Sequence, residues 1–441
     1  MKLRPLNLSL LLAIALATAS SAQAQNLLQI YETAKGHDAT YAAAKSQAQA
    51  TMAKAAQAKS ALLPTIGASL SQTKTDLDFS KSTLPDPDFT TKTNAISANQ
   101  PLFRAANLAS YRQGLKSAEL AQTQLASAEH DLIVRASQAY FDVLSSSEGL
   151  NFVQAQKRAV GEQLAAAKRN FEVGTSTITD TREAQARFDL VVAQELAAEN
   201  DLRVKKLALD QLVGKSNLQP AALKTPSVLQ PPQPQDVEHW VKLALENNAN
   251  IQQLRVALDV AKLETEKAQA GHLPTLDLSA SVAKNRYSGA VIPSSNNDGN
   301  VKTIGVALNI PLFAGFAVQN RVKETVALEE KARADLEAAQ RSIEQGTRSA
   351  YFGLLTGLSQ VKALEAAETS SQSALDANKL GYQVGVRINI DVLNSQSQLY
   401  QTKRDLAKAR YDVLVGQLKL RQVAGVLKAE DLQAINSLLA P

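Results

Sequence analysis

The sequence contains no cysteine in its 441 residues. It therefore forms no disulfide, holds no metal through thiolates and offers no cysteine nucleophile, nor a cysteine to carry a lipid anchor. Histidine is nearly as scarce. His37, His130, His239 and His272 are spaced so that no two make a ligand pair on one helix. No metal site and no cofactor is expected. Aromatic residues make up only 5% of the chain, which, with abundant Ala and Gln, favours long helices over a dense globular core. Beyond residue 24 no apolar run reaches the roughly 18 residues that a membrane-crossing helix needs. Any part that crosses a membrane must be built from strands. The basic residues form no blocks, and a net charge of +5 gives no case for nucleic acid. Enzyme signatures are also missing. The run Gly214-Lys215-Ser216 has Leu209 where a phosphate loop needs its first Gly, and reads instead as a helix end. No nucleophile elbow with a His partner occurs, and the chain is expected not to be an enzyme.

What is present begins with residues 1–24. Lys2 and Arg4 precede an apolar stretch from Leu8 to Ala17, and Ala22-Gln23-Ala24 is a small-x-small cleavage site. This reads as a secretory signal peptide, excluded from the fold. Removing it lowers the net charge to +3, because it carries two basic and no acidic residues. The remainder repeats itself. "LLPTIGASLS" from Leu62 matches "HLPTLDLSAS" from His272, "QPLF" ending at Phe103 matches "IPLF" ending at Phe313, and "AYF" from Ala139 recurs at Ala350. "DATY" from Asp38 resembles "NANI" from Asn248, and "FEVGTSTITD" from Phe171 resembles "YQVGVRINID" from Tyr382. The offsets are 210 or 211 residues throughout. The sequence is thus read as a duplicated unit: residues 25–216 and 236–426, with a Pro-rich linker at 217–235 and a terminal segment at 427–441.

Each half should run helix, strand, strand, very long helix, shorter helix. Tyr111, Ala118, Leu125, Leu132 and Ala139 mark a heptad seam, and Val160, Leu164, Ala167 and Phe171 continue it. Long helices are predicted over about 107–171 and 318–382, each about 100 Å in length at 1.5 Å per residue. Alternation predicts strands at about 64–80, 90–104, 273–287 and 301–313, the second mainly because the repeat demands it. Turn-rich tips, "STLPDPD" from Ser82 and "VIPSSNNDGN" from Val291, join them in pairs. One strand face is apolar and the other small and polar, which suits an outer-membrane barrel. Four strands cannot close a barrel, and a lipid-exposed sheet cannot leave an edge unpaired. Three copies would supply twelve strands. A soluble two-hairpin sheet packed on helices, or a solid coiled-coil stalk, competes with this. The secretory signal and the aromatic residues beside the strands (Phe103, Phe313, Phe316, Tyr287) favour the barrel.

Two features remain. The Val-Gly pairs at Val173-Gly174 and Val384-Gly385 read as turns between helices, with Gly supplying a positive φ. Six residues after each Gly comes an acid, Asp180 or Asp391. Taken alone these are capping residues: Asp180 with Glu183 as a capping box, and Asp391 as an N-terminal acid. Asp391 and Asn394, three apart, share one helix face.

Together "GHLPTLDLSAS" from Gly271, "GYQVGVRINIDVLNSQSQLY" from Gly381, "ARYDVLVGQLKL" from Ala409, "AYFDVL" from Ala139 and "VGTSTITD" from Val173 resemble the TolC family of outer-membrane efflux channels across the whole mature chain. The resemblance implies a homotrimer with a twelve-stranded barrel in the outer membrane. A long helical barrel would cross the periplasm, with an equatorial belt around the Pro-rich linker and the terminal segment. It implies a passive exit duct for multidrug efflux or type I secretion, engaged by a periplasmic adaptor (membrane fusion) protein and an inner-membrane efflux pump or ABC exporter. The alternative is a non-conducting periplasmic adaptor or coiled-coil scaffold, which should carry one hairpin and not four duplicated strands. The family pattern would place adaptor contacts at Val173, Gly174, Thr175, Val384, Gly385 and Val386. It would place the periplasmic gate at Thr179, Asp180, Tyr382 and Arg387, with Arg387 bonded to Asp180 or Thr179 and Tyr382 held across the hairpin. The pore constriction would fall at Asp391 and Asn394. The family has an acid at the second of these positions, so a single carboxylate ring and weaker cation selectivity are expected. Thr175 and Val386 also depart from the family pattern.

Overall fold

The computed structural model describes residues 25–78, 88–224, 229–289 and 298–440. The expected signal peptide, most of both strand-pair tips and residues 225–228 of the Pro-rich linker lie outside these. The described elements are α1 (Leu27–His37), α2 (Ala39–Ala58), β1 (Thr65–Asp76), β2 (Asp88–Phe103), α3 (Ala105–Glu172), α4 (Ile178–Val213), α5 (Val237–Asn247), α6 (Ala249–Gln269), β3 (Thr275–Gly289), β4 (Gly299–Asn309), α7 (Ala317–Gln383), α8 (Asn389–Val423) and the short α9 (Asp431–Asn436). The order helix, helix, strand, strand, long helix, shorter helix thus occurs twice. The single leading helix expected in each half is two helices, because Asp38 and Asn248 interrupt it. Asp38 is extended (φ −60°, ψ 115°). Its carboxylate accepts the Tyr41 N–H at 2.6 Å and the Arg135 guanidinium at 3.0 and 3.1 Å. Asn248 donates to the Val423 carbonyl at 2.8 Å. The matching "DATY" and "NANI" stretches mark these two breaks.

Contacts divide the chain into two units, one of residues up to 44, 125–249 and from 340 onward, the other of 45–124 and 250–339. The first holds the larger apolar core. Leu27, Ile30, Tyr31, Leu132, Tyr140, Phe141, Leu209, Tyr411, Leu414 and Leu418 are all buried in one cluster. Phe141 stacks on Tyr411 with centroids 5.5 Å apart, and the Tyr140 hydroxyl donates to the Ala221 carbonyl at 2.9 Å. Gly214 ends α4 with φ +72° and its N–H bonded to the Asp210 carbonyl, so the Gly-Lys-Ser run is a helix end. Farther along α3, Val160, Leu164 and Ala167 are buried against α4 while Phe171 is exposed. Among the described residues no helix is long and apolar enough to cross a membrane.

The second unit carries the strands. They form one antiparallel sheet in the order β1-β2-β3-β4, so β1 and β4 are its edges. β2, the weakest strand by pattern, is the longest at 16 residues and pairs on both sides. Its threonines suit a pleated surface, and pairing on both sides outweighs the missing alternation. β2 passes Pro101 through a register shift, where the absent N–H costs no ladder bond. β4 stops at Asn309, earlier than the expected 313, because Pro311 cannot donate to the next rung. The even-numbered residues form one face, on which Ile66, Leu70 and Ile304 are 76%, 81% and 78% exposed. Arg104 closes the helix end of the sheet with two bonds to Asp277, at 2.9 and 2.7 Å. The helices below pack through small side chains. A Cβ on Gly114 would lie 2.8 Å from the Ala58 Cβ, so α2 and α3 approach as only Gly and Ala permit.

Candidate functional site

The two Val-Gly turns end α3 and α7 in the same way. Gly174 and Gly385 each have φ +78°. The Thr175 N–H reaches back to the Asn170 carbonyl at 2.8 Å and the Gly174 N–H to Phe171 at 3.0 Å. The Val386 N–H reaches Gly381 at 2.9 Å and the Gly385 N–H reaches Tyr382 at 3.2 Å. These are paired Schellman motifs, in which a left-handed residue lets two N–H groups satisfy the last carbonyls. Val173, Val384 and Val386 are exposed at the tips, at 72%, 64% and 75%. Six residues that the family resemblance assigns to adaptor contact therefore lie at two helix-to-helix turns of matching geometry.

Past the turns the two copies diverge. Thr177 is the N-cap of α4 and makes a full capping box with Asp180. The Asp180 carboxylate accepts from the Ser176 hydroxyl at 2.7 Å, the Thr177 hydroxyl at 2.9 Å and the Thr177 N–H at 3.0 Å. Asp180 is thus the third helical residue of the box and not its cap, and Glu183 is not its partner. Partial burial disfavours the charged carboxyl, but the bonds from Ser176 and Thr177 outweigh it and hold Asp180 below the usual carboxylate range. In the second copy the N-cap is Ile388, which has no side chain to cap with. Asp391 stands in the first turn of α8, where the helix dipole favours a negative charge.

The gate residues of the family pattern fall into two groups. Within one chain Arg387 pairs with Asp391 at 3.7 Å, while Asp180 is occupied by its own box. An exposed pair at that distance is worth under about 1 kcal/mol. Tyr382 is held across the hairpins, since its hydroxyl oxygen accepts from the Asn170 side chain at 3.2 Å. It also packs beside Leu375, Val392 and Leu399. Thr179 lies in the first turn of α4, and its side chain has no hydrogen-bond partner among the described residues. Asn394 accepts from the Arg187 guanidinium at 2.7 Å, which ties α8 to α4.

A residue that the sequence reading passed over does most to join the hairpins. Asn389, fully buried, accepts from Gln163 on α3 and donates to the Asp180 carbonyl on α4 at 3.3 Å. Asn170, Gln163 and Arg187 were also passed over. A signal for four of the clasp residues, Asn170, Tyr382, Asn389 and Asn394, exists in the repeat. At an offset of 211, Asn170 corresponds to Gly381, Phe171 to Tyr382, Ile178 to Asn389 and Glu183 to Asn394. The contacts between hairpins arise where the copies differ. Within the second hairpin one pair is also complementary in size: a Cβ on Gly381 would come 2.6 Å from the Arg387 Cγ, whereas the first copy has Asn170 with the small Ser176.

Comparison with known proteins agrees with this architecture. The family model described as outer membrane efflux protein matches residues 30–215 and again 240–426. The chain is 34% identical over 416 residues to the outer membrane protein TolC of Vibrio cholerae, covering 94% of each chain. It is 31% identical to the alkaline protease secretion protein AprF of Pseudomonas aeruginosa, covering 94% of this chain and 87% of that one. Among solved structures, the outer membrane protein VceC of Vibrio cholerae superposes with a TM-score of 0.78 at 20% identity, covering 90% of this chain and 96% of VceC. With its family model matched twice and its relatives matched over most of their length, the chain belongs to the outer membrane efflux protein family.

Proposed function

We propose that three copies of this chain assemble into an outer-membrane duct through which an inner-membrane efflux pump or ABC exporter discharges its cargo. The observation that carries the reading is the sheet. One face carries an apolar band across all four strands, through Leu70, Ile96, Val282 and Ile304, and the edges β1 and β4 are open. Such a sheet is stable in lipid only when closed, and three copies joined β4 to β1 give twelve strands. The paired hairpins then lie in the periplasm, reached after removal of residues 1–24 as a signal peptide. Residues 25–216 and 236–426 act as duplicated halves, and the 217–235 and 427–441 segments form the equatorial belt. The duct is passive. A periplasmic adaptor engages the exposed tips at Val173, Gly174, Thr175, Val384, Gly385 and Val386. The relatives named for TolC and for protease secretion support both efflux and type I secretion as roles. Four strands per chain argue against a non-conducting scaffold.

The gate in this reading is the clasp between hairpins. Thr179 and Asp180 stand at the start of α4, with Tyr382 and Arg387 on the opposing hairpin. Asp391 lines the constriction, beside Asn394. Each contact is weak enough, at about 0.5–1.5 kcal/mol for a neutral hydrogen bond, for partner binding to overcome several together. The test is single-channel conductance of the purified protein in a planar bilayer, wild type beside Arg387→Ser. A small, cation-favouring conductance that rises several-fold in the variant is the expected result. A conducting wild type unchanged by the substitution would remove Arg387 from the gate, and well-folded trimers that never conduct would overturn the duct.

A further inference from the structure

The apolar face of the sheet is not apolar throughout. On every strand a basic side chain stands on that face just beyond the apolar run, on the side away from the helices. Lys74 follows Ile66, Ala68 and Leu70 in β1, and Lys92 precedes Ile96 and Ala98 in β2. Lys284 and Arg286 follow Leu278, Ala280 and Val282 in β3, and Lys302 precedes Ile304, Val306 and Leu308 in β4. All are even-numbered, so the period of two puts them on one face. The odd-numbered residues of the four strands include no Lys or Arg. From β1 to β4 the basic residues and the end of the apolar run slide through the register in the same sense. The basic residues therefore keep their height above the apolar band when the strands tilt, as barrel strands do.

Two of the five have carboxylate partners: Lys74 with Asp88 at 3.0 Å and Arg286 with Asp298 at 3.7 Å. Lys92, Lys284 and Lys302 have none among the described residues. Lys92 also stands directly across from Arg286, a placement of like charges that destabilises a sheet. Lys92, Lys284 and Lys302 are successive diagonal neighbours in the register, with backbones about 7–8 Å apart. Beneath them lies a shallow depression of about 320 Å³, lined by Ile96, Ala98, Ala280, Val282 and Ile304, with Lys302 on its wall. Its floor is the directly paired Ala98 and Ala280, whose short side chains leave the hollow. Three unneutralised amines over an apolar groove match a lipid that carries more than one phosphate, since a single phosphate would answer only one or two of them.

We propose that this face binds the phosphorylated glycolipid of the outer leaflet, with Lys92, Lys284 and Lys302 on its phosphates and an acyl chain along the groove. The proposal rests on the barrel reading above, which puts the strand ends remote from the helices in that leaflet. The test is native mass spectrometry of the purified full-length protein in detergent, titrated with diphosphorylated lipid A. The same glycolipid stripped of both phosphates, phosphatidylglycerol and inorganic phosphate serve as comparison probes. Lipid A should bind at least tenfold tighter than the stripped form. A basic residue near an anionic surface is worth about fivefold, so the triple variant K92Q/K284Q/K302Q should weaken binding about a hundredfold. Ala280→Leu, which fills the groove and leaves the charges, should weaken it as well. Lys284→Gln alone, on an exposed side chain, gives the measurement on a protein certain to be comparable should the triple variant fold poorly. Equal affinity for the stripped glycolipid, an unchanged variant, an equal response to phosphatidylglycerol, or displacement by millimolar inorganic phosphate would each overturn the proposal. Bilayer conductance of the same preparations separates the failures: protein that conducts without lipid preference sinks this inference alone, and folded protein that never conducts sinks the duct.

Discussion

Asn389→Ala should open the duct by more than Arg387→Ser does. Asn389 is fully buried and joins α8 to both helices of the other hairpin. The substitution removes two neutral hydrogen bonds, each worth about 0.5–1.5 kcal/mol. The groups left behind add little. The Asp180 carbonyl lies within α4 and has the helix ladder for a second partner, and Gln163 is only half-buried and can turn to water. The clasp therefore loses about 1–3 kcal/mol, or about 5- to 150-fold in the open-to-closed ratio. Arg387, by contrast, is exposed and pairs at 3.7 Å, so its loss should shift the ratio about fivefold or less. Planar-bilayer recordings of both variants give the ratio directly, and a double-mutant cycle with Gln163→Ala isolates the pair. A larger effect for Arg387→Ser than for Asn389→Ala, from equally stable trimers, would refute the reasoning. It would mean that contacts between chains, and not the clasp within one chain, hold the gate.

Three further outcomes follow from the same geometry. Asn394→Asp should raise cation selectivity, but by less than a free second carboxylate would, because Arg187 already sits 2.7 Å from that side chain; identical reversal potentials in wild type and variant would count against it. Asp180 titrates below its unfolded value, so its contribution to the α4 start is complete above the ordinary carboxylate pKa and is lost as pH falls through the lowered one. Protection of the amides in the first turn of α4, after correction for the intrinsic pH dependence of exchange, should fall on acidification in the wild type and far less in Asp180→Asn. Gly381→Ala should displace Arg387 from Asp391, since the new methyl would come 2.6 Å from the Arg387 Cγ. Its conductance should match that of Arg387→Ser, and a wild-type value would show that the pair plays no part.

Much of the fold was legible because long-range periodicity is robust. The long helices begin and end within about two residues of where the heptads and Val-Gly turns placed them. The turn geometry followed from one residue type, since only Gly takes φ +78° without strain. Legibility failed where structure depends on a partner distant in sequence. The breaks at Asp38 and Asn248 are held by Arg135 and Val423, which no local window contains. The capping box was assigned one step late because two overlapping readings, Thr177 with Asp180 and Asp180 with Glu183, share the same acid. The early end of β4 is marked in the sequence by Pro311, which outweighs the repeat there. Asn389 was invisible to motif reasoning because a buried Asn has no signature of its own; only its contrast with Ile178 in the other copy marks it.

That contrast bears on which hairpin moves. The first hairpin is finished locally: Thr177 caps α4, and Ser176 and Thr177 satisfy Asp180. The second has Ile388 where a cap belongs and Gly381, a poor helix former, one turn before its tip. Leu375, Val392 and Leu399 pack its two helices together, and Asn389, Tyr382 and Asn394 bond it to the first hairpin. A segment whose local contacts are incomplete and whose long-range contacts are few and weak opens at lower cost than its surroundings. Where the first hairpin has a side-chain cap at its turn, the second has bonds to its neighbour. In the gate proposed above, a motion that breaks those bonds would leave the first hairpin intact and free the second, so the proposal makes the first the frame and the second the part that swings.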